Sequence, residues 1–155
     1  MKEALLAQLD LAQDFFDRST GSLTEEDSGF APEKGLFTVA QHVAHAAHTV
    51  DWFFEGAFSP EGFDMGFEDH ERRVLTVTSL TEARAWLHRA LDNGRALVRA
   101  KSEAEWSAPI VEGEVMGGMP RTTIFGGITD HTAHHRGALT IYARLLGKTP
   151  PNPYM

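Results

Sequence analysis

The stretch that decides the fold runs Ile124-Phe-Gly-Gly-Ile-Thr-Asp-His131-Thr-Ala-His-His135-Arg-Gly-Ala-Leu-Thr-Ile-Tyr142-Ala-Arg-Leu145. One line of residues recurs in it at alternating spacings of four and three: Ile124, Ile128, His131, His135, Ala138, Tyr142 and Leu145. This spacing predicts a helix with one inward-facing seam, as in a helical bundle. His131 and His135 are one turn apart on that seam, so both side chains can reach a single metal ion.

The neighbouring His134 is the competing partner for His131. It lies on a different line of the helix, with Gly127, Asp130, Gly137 and Ile141, which is smaller and more polar. We therefore prefer His135. A pair of histidines one turn apart also occurs in helices that bind no metal, as buried side chains with hydrogen-bond partners. The motif alone leaves both interpretations open.

Three further segments show helical periodicity, so the fold class predicted is an all-α four-helix bundle. The four predicted helices cover about residues 2–17, 38–55, 79–101 and 120–146. Roughly 25 residues separate the second helix from the third, whereas antiparallel neighbours in a bundle are joined by about 2–8. We therefore predict that residues 57–78 cross the length of the bundle and that the second and third helices run parallel.

Composition excludes several classes of protein. The chain has no cysteine, which removes disulfides, thiolate nucleophiles and cysteine-bound zinc. A net charge of −8 disfavours nucleic acid as a partner. No apolar run is long enough to span a membrane, and Met1-Lys2-Glu3 does not begin a signal segment. We expect a single domain over residues 1–155, located in the cytoplasm.

The second predicted helix carries His42, His45 and His48. Successive members are 300° apart, so His42 and His48 lie on opposite sides of His45, each about 60° from it. The three therefore cannot all face one ion. One is enough, since three histidines plus an open position form an established catalytic zinc site. Periodicity does not select the one, because His45 points away from the apolar stripe formed by Leu36, Val39, Val43, Ala46 and Val50.

Two segments resemble the DinB/YfiT-like family, which is unrelated to the DNA polymerase called DinB. The first is His131-Thr-Ala-His-His135-Arg-Gly-Ala-Leu-Thr-Ile-Tyr142-Ala-Arg-Leu-Leu-Gly147-Lys-Thr-Pro-Pro, and the second is Val39-Ala-Gln-His-Val-Ala-His45-Ala-Ala-His-Thr-Val-Asp51-Trp-Phe53. The resemblance covers the whole chain in helix order. It implies a bundle in up-down-down-up order, a frequent homodimer, and one divalent ion, Zn²⁺ or Ni²⁺, held by His45, His131 and His135. Members commonly carry Gln where this chain has Ala138, and His42 and His48 are additional histidines.

The same resemblance implies a function, because relatives include transferases that use a low-molecular-weight thiol and a thiol-dependent isomerase. We expect a metal-dependent transferase acting on a small molecule with such a thiol, with His48 and Asp51 as candidate catalytic residues that move protons or orient the ligands. One alternative is a metal-dependent hydrolase, for which Asp51 and Asp130 are the nearest carboxylates. The other is a non-catalytic stress-response protein stabilised by its metal. We expect the loops 57–78 and 102–119 to form the rim of the pocket.

Overall fold

The computed structural model describes residues 1–155, and all of its regular secondary structure is helical. Its six α-helices are α1 (Lys2–Thr20), α2 (Val39–Phe58), α3 (Phe67–Leu75), α4 (Leu80–Ala100), α5 (Glu103–Ser107) and α6 (Ile124–Leu145). The long helices α1, α2, α4 and α6 are the four predicted from periodicity, so the all-α prediction is confirmed. None of the helices is both long and apolar enough to cross a membrane.

Two short helices lie in connections where periodicity indicates none. In α3, Glu68 and Asp69 occupy the first turn and Arg72 and Arg73 the last, a charge order that matches the helix dipole. The helix α5 begins with a capping box. The side chain of Ser102 accepts from the backbone N–H of Glu105, and the side chain of Glu105 accepts from the backbone N–H of Ser102. Helices of nine and five residues are too short to show a 3.6-residue period.

The start of α6 also differs from the prediction. The sequence predicts Pro120 as the first helical residue, but this proline precedes a short 3₁₀ turn at Arg121–Thr123, and α6 begins only at Ile124. The side chain of Arg121 fixes this turn by donating to the backbone oxygens of Ala57 and Glu105. The chain therefore enters α6 about one turn later than the proline indicates.

Contacts between the helices give their directions. Both α2 and α4 begin beside Ser28, whose backbone oxygen accepts from Ala40 N–H and whose hydroxyl accepts from Leu80 N–H. Further along both helices, Asp51 of α2 pairs with Trp86 of α4. Residue numbers therefore rise in the same direction along α2 and α4, so the two helices are parallel. Between α2 and α6 the order is reversed, as in antiparallel helices: the ring of His42 contacts Tyr142, that of His45 contacts His131, and that of Phe54 contacts Phe125.

The pairs between α1 and its neighbours complete the arrangement. Asp17 pairs with His88 and Asp10 with Arg95, so α1 and α4 are antiparallel. On the other side Gln8 and Leu11 line a groove with Thr129 and Thr132, while Phe15 and Ser19 contact Arg136, so α1 and α6 run in the same direction. The four long helices thus follow an up-down-down-up order.

The connection between α2 and α4 runs back alongside α2. Trp52 Nε1 donates to the backbone oxygen of Asp64, the ring of His48 lies 4.7 Å from that of His70, and Gln41 Nε2 donates to the backbone oxygen of Leu75. As the connection advances, its partners on α2 move toward the start of that helix. This course brings α3 over the face of α2 that carries the histidines.

Helix α2 lies at the centre of the bundle. It packs against α4, α6 and α3, and most of its residues are buried. Alanines and valines on α2 keep the neighbouring helices close: Val39, Ala40, Val43, Ala44, Ala46, Ala47 and Val50 are all fully buried or nearly so. The histidines of α2 therefore lie among packed neighbours, with His42 and His48 buried and His45 partly buried.

Candidate metal centre

Three histidines from two antiparallel helices converge at the α2–α6 interface. His45 of α2 and His131 and His135 of α6 each offer a ring nitrogen, and the three nitrogens all lie within 4.8 Å of one another. The helix α2 begins with a capping box between Thr38 and Gln41, about two turns before His45. A divalent ion is typically bound by imidazole nitrogens at about 2.0–2.1 Å. Small side-chain rotations are enough for three nitrogens this close to reach one ion.

The hydrogen-bonding state of these rings tests whether they fit a metal. Nε2 of His131 is buried and has no hydrogen-bond partner. An unpaired polar atom in a protein interior is costly, so the atom calls for a partner that the protein itself does not supply. His135 is also buried, and its Nδ1 is already engaged with Nδ1 of His42 at 2.9 Å, which leaves Nε2 free. The three rings therefore fit a metal that accepts nitrogen ligands.

Burial keeps these rings in the neutral form that binds metals. It lowers the pKa of His131 to about 4 and, together with the neighbouring His131, lowers the pKa of His135 to about 2. The pKa of His45 is also lowered by burial, although the carboxylate of Glu71 acts in the opposite direction. At neutral pH all three nitrogen lone pairs are available.

His42 lies behind the three histidines, on the side away from the cavity. Its Nδ1 contacts His135, and its Nε2 lies 3.2 Å from the hydroxyl of Tyr142. That hydroxyl in turn donates to the backbone oxygen of Phe37, at 3.1 Å. His42 is thus part of a hydrogen-bond chain that starts at the backbone before α2 and ends at His135.

A cavity of about 380 Å³ opens beside His45 and His131. Four aromatic side chains form its apolar walls: Phe37, Trp52, Phe53 and Phe67. Its polar lining is His48, Thr49, His70 and Glu71, in addition to the two histidines. The candidate centre is therefore accessible from a cleft of small-molecule size that has one carboxylate and no Lys or Arg in its lining.

His48 lines this cavity, as expected of a residue that acts on a substrate. Burial lowers the pKa of His48 to about 4. Its ring lies against His70, whose Nε2–H donates to Asp64 Oδ2 at 3.0 Å, and the same carboxylate accepts from Gly66 N–H through Oδ1. The carboxylate fixes the orientation of His70, and His70 packs on His48.

Asp51 is not among the residues brought together. Its carboxylate accepts a 2.7 Å hydrogen bond from Trp86 Nε1, and it lines a separate cavity between α2 and α4 with Phe54 and Asn93. On the helix Asp51 lies about 120° around from His45, which carries it away from the α6 side and toward Trp86 of α4. Asp130 and His134 are exposed on the outer face of α6. Arg136 packs against Phe15 and Tyr154 near the C-terminus, far from a catalytic position.

Sequence reasoning missed Asp64, His70 and Glu71. All three belong to the connection that is expected to form the rim, but its sequence singles out no residue. His70 offers only a weak signal, as the one histidine of this segment. The contact of His70 with His48 depends on how far the segment runs along α2, which its own sequence does not specify.

The fold and the three-histidine cluster define a class of helical bundle with a candidate metal centre between its second and last long helices. The chain belongs to the DinB superfamily, whose family model matches residues 8–139. This confirms the family resemblance found in the sequence. Comparison with curated proteins gives no significant match.

Three solved structures share the fold. YfiT from Bacillus subtilis, described as a probable metal-dependent hydrolase with an unusual four-helix bundle topology, has a TM-score of 0.68 and 17% identity, covering 96% of this chain and 89% of YfiT. The mycothiol-dependent maleylpyruvate isomerase has a TM-score of 0.67 and 16% identity over 90% of this chain, which spans 60% of the isomerase. A protein from Streptococcus pneumoniae has a TM-score of 0.72 and 13% identity, covering 92% of this chain and 90% of that protein.

Proposed function

We propose that this protein is a metal-dependent transferase that uses a low-molecular-weight thiol, with one Zn²⁺ or Ni²⁺ held by His45, His131 and His135. The observation that carries the proposal is the convergence of three neutral imidazoles, two of which line an open cavity, with no fourth protein ligand in the cluster. A structural zinc site normally has four protein ligands, whereas a catalytic site has three and one open position. The ligand count therefore favours catalysis over a purely stabilising metal.

The choice of a thiol rests on charge. Three neutral imidazoles leave the double positive charge of the ion undiminished, so an anionic ligand is favoured at the open position, and the ion promotes deprotonation of a thiol or water there. The mycothiol dependence of the isomerase with the same fold supports a thiol in that role. This chain spans only 60% of the isomerase. We therefore carry over the chemical class of the thiol and not its identity.

The residues of the cavity have separate parts in this proposal. His48 passes the proton that the nucleophile loses on to solvent, since it lines the cavity beside His45, is backed by the His70–Asp64 pair, and has a pKa too low to keep the proton at neutral pH. The aromatic walls, chiefly Trp52 and Phe53, exclude water and bind the apolar part of the electrophile. We assign Asp51 no part in the reaction, because its carboxylate accepts from Trp86 of α4 and lines a different cavity.

Hydrolysis is the second candidate, and Glu71 favours it. A hydrolase of this type needs a base that activates water, and Glu71 lines the cavity together with His45 and His131. The description of YfiT as a probable metal-dependent hydrolase supports the same chemistry. Assembly as a homodimer remains part of the proposal on the family resemblance, and location in the cytoplasm remains part of it on the sequence expectation.

Cobalt substitution tests the proposed function, because the d–d spectrum of Co²⁺ reports coordination number. We expect that titrating the Co²⁺-loaded protein with a small thiol such as N-acetylcysteine produces a thiolate-to-cobalt charge-transfer band. Release of a proton should accompany it, since the thiol binds deprotonated. The thermal midpoint should rise with thiol concentration, as for any ligand that binds only the folded state.

The matched control is N-acetylserine, which has a hydroxyl in place of the thiol. It should produce no charge-transfer band. An unchanged spectrum with the thiol, at full cobalt occupancy, contradicts the transferase. If p-nitrophenyl acetate is then hydrolysed in a metal-dependent way, the hydrolase is favoured. If it is not hydrolysed and the spectrum is that of a closed coordination shell, the metal only stabilises the bundle.

A further inference from the structure

A hydrogen-bond chain of fixed direction ends at His135. It begins at the backbone oxygen of Phe37, which can only accept, so the single hydroxyl proton of Tyr142 is committed to it at 3.1 Å. Toward Nε2 of His42, at 3.2 Å, the tyrosine oxygen is left as an acceptor. Nε2 of His42 must therefore carry a proton for this contact to be a hydrogen bond.

The donor and acceptor roles set at Tyr142 also fix those of the His42 and His135 rings. Both are buried, and the hydrogen bonds of His42 go to Tyr142 and His135 and not to a carboxylate, so nothing in contact with the ring favours a charged imidazolium. A neutral His42 with a proton on Nε2 has a lone pair on Nδ1. Across the 2.9 Å contact, Nδ1 of His135 must then donate, which leaves the lone pair of His135 on Nε2.

The same four groups join the two helices that carry the histidine cluster. Phe37 directly precedes Thr38, whose capping box starts α2, and His42 lies in the first turns of that helix. Tyr142 and His135 lie two turns apart on one face of α6. Because Tyr142 and His42 each contact the other helix, the chain fixes both the orientation of the His135 ring and the identity of its free nitrogen.

We propose that His42 and Tyr142 are positioning residues, which hold His135 in the tautomer with Nε2 free and thereby raise the affinity of the site for a divalent cation. The inference rests on the proposed metal site but concerns residues that do not contact the ion. Ligating histidines in proteins usually donate their second ring N–H to a fixed acceptor, and loss of that acceptor typically weakens metal binding by about 10–100-fold. Here the acceptor is a fourth histidine, His42, itself oriented by a tyrosine.

A matched pair of variants at His42 tests the idea. Asparagine and leucine side chains have the same branching, but asparagine keeps an oxygen near the position of the His42 Nδ1, whereas leucine offers no acceptor. We expect His42→Asn to bind Zn²⁺ within about threefold of the wild type and His42→Leu to bind about 10–100-fold more weakly. The measurement is competition with a chromophoric chelator at pH 7.5, on protein whose helix content has been checked by circular dichroism.

Two further readouts keep the test independent of folding and of the metal. Tyr142→Phe removes only the hydroxyl and should weaken zinc binding about three- to tenfold, less than the leucine variant does. His134→Ala is the control, because it removes a ring that touches His135 from the exposed side, and it should leave the affinity unchanged. In metal-free wild type, ¹⁵N-resolved histidine spectra should show the His135 proton on Nδ1 and the His42 proton on Nε2.

The idea is overturned if metal-free His135 carries its proton on Nε2, or if the His42→Asn and His42→Leu variants bind zinc equally. A wild-type protein that binds no zinc contradicts the proposed metal site instead. The tautomer spectrum needs no metal, so in that event it still decides whether the hydrogen-bond chain has the direction inferred. The two failures are thereby told apart.

Discussion

Individual histidines at and behind the candidate metal centre have different partners, and these partners suit different roles. Nε2 of His131 is buried without a partner, which suits a ligand. Both ring nitrogens of His42 are engaged by protein groups, which suits a positioning residue. His48 faces the cavity beside His70, which suits a group that exchanges a proton with a substrate. His131, His42 and His48 thus differ in whether a protein group engages their ring nitrogens and in whether the ring faces the cavity.

Burial of neutral histidines should make the metal-free protein sensitive to acid. The pKa of a histidine in an unfolded chain is about 6.5, whereas burial lowers the pKa of His42, His48 and His131 to about 4. Between these values the unfolded state binds more protons than the folded state, so stability falls as the pH falls. We expect urea unfolding of metal-free protein to give a free energy at least ~2 kcal/mol lower at pH 5 than at pH 7.5.

The variant His48→Gln checks the cause. It removes one of the buried titrating groups, so its loss of stability between pH 7.5 and 5 should be smaller than that of the wild type. Equal unfolding free energies at the two pH values in the wild type would mean that these rings are protonated in the folded state at pH 5.

Sequence identified the histidines of the cluster but not their roles. The seam of α6 predicts that His131 and His135 share a face, since both lie at regular spacings. Periodicity could not select His45 on α2, because that helix is buried on nearly every side and its apolar stripe is only one of several contact faces. The family motif selected it, and the structure brings His45 together with the other two.

At the scale of elements, a close approach sets the packing of α2 against α4. Gly94 lies mid-way along α4, and a Cβ atom there would be 2.3 Å from Cε2 of Phe54. Phe54 is itself buried and packs edge-on against Phe125 of α6, which restricts the movement of its ring on that side. The absence of a side chain at Gly94 therefore lets α4, α2 and α6 pack around one ring.

Replacing this glycine should destabilise the bundle even though alanine favours helices. We expect Gly94→Ala to lower the free energy of unfolding by about 1–2 kcal/mol, because overpacking costs about 1–3 kcal/mol and helix propensity returns at most ~1 kcal/mol. Gly137→Ala is the control: it is also within a helix, and nothing lies within 4 Å of a Cβ there. It should raise stability by about 0.5–1 kcal/mol. Urea unfolding measures both, and a stabilised Gly94→Ala would show that Phe54 can shift freely.

The long helices could be predicted from sequence because each buries one face over five turns or more, which gives a clear period. The short helix α3 could not. It has one buried residue, Val74, and its fold depends on contacts with α2, such as His70 with His48. The sequence therefore does not predict the cavity wall that α3 contributes, nor the positions of His70 and Glu71 in it.

At the scale of the whole molecule, the histidine cluster joins parts of the chain that are distant in sequence. His45 and His131 come from antiparallel helices, α2 and α6, with α3, α4 and α5 between them along the chain. Near the cluster the two helices are held by the His42–His135 and His42–Tyr142 contacts. A bound ion would add a further tie at the same level, so binding and folding are coupled.

The most direct test of this account is the zinc content of purified protein after dialysis at pH 7.5. The variants are His45→Ala, His131→Ala, His135→Ala and His134→Ala. We expect about one ion per chain in the wild type and in His134→Ala, and none in the other three, because two remaining imidazoles form too weak a site. Retention of zinc by His135→Ala, or its loss from His134→Ala, would contradict the assignment of the metal centre to His45, His131 and His135.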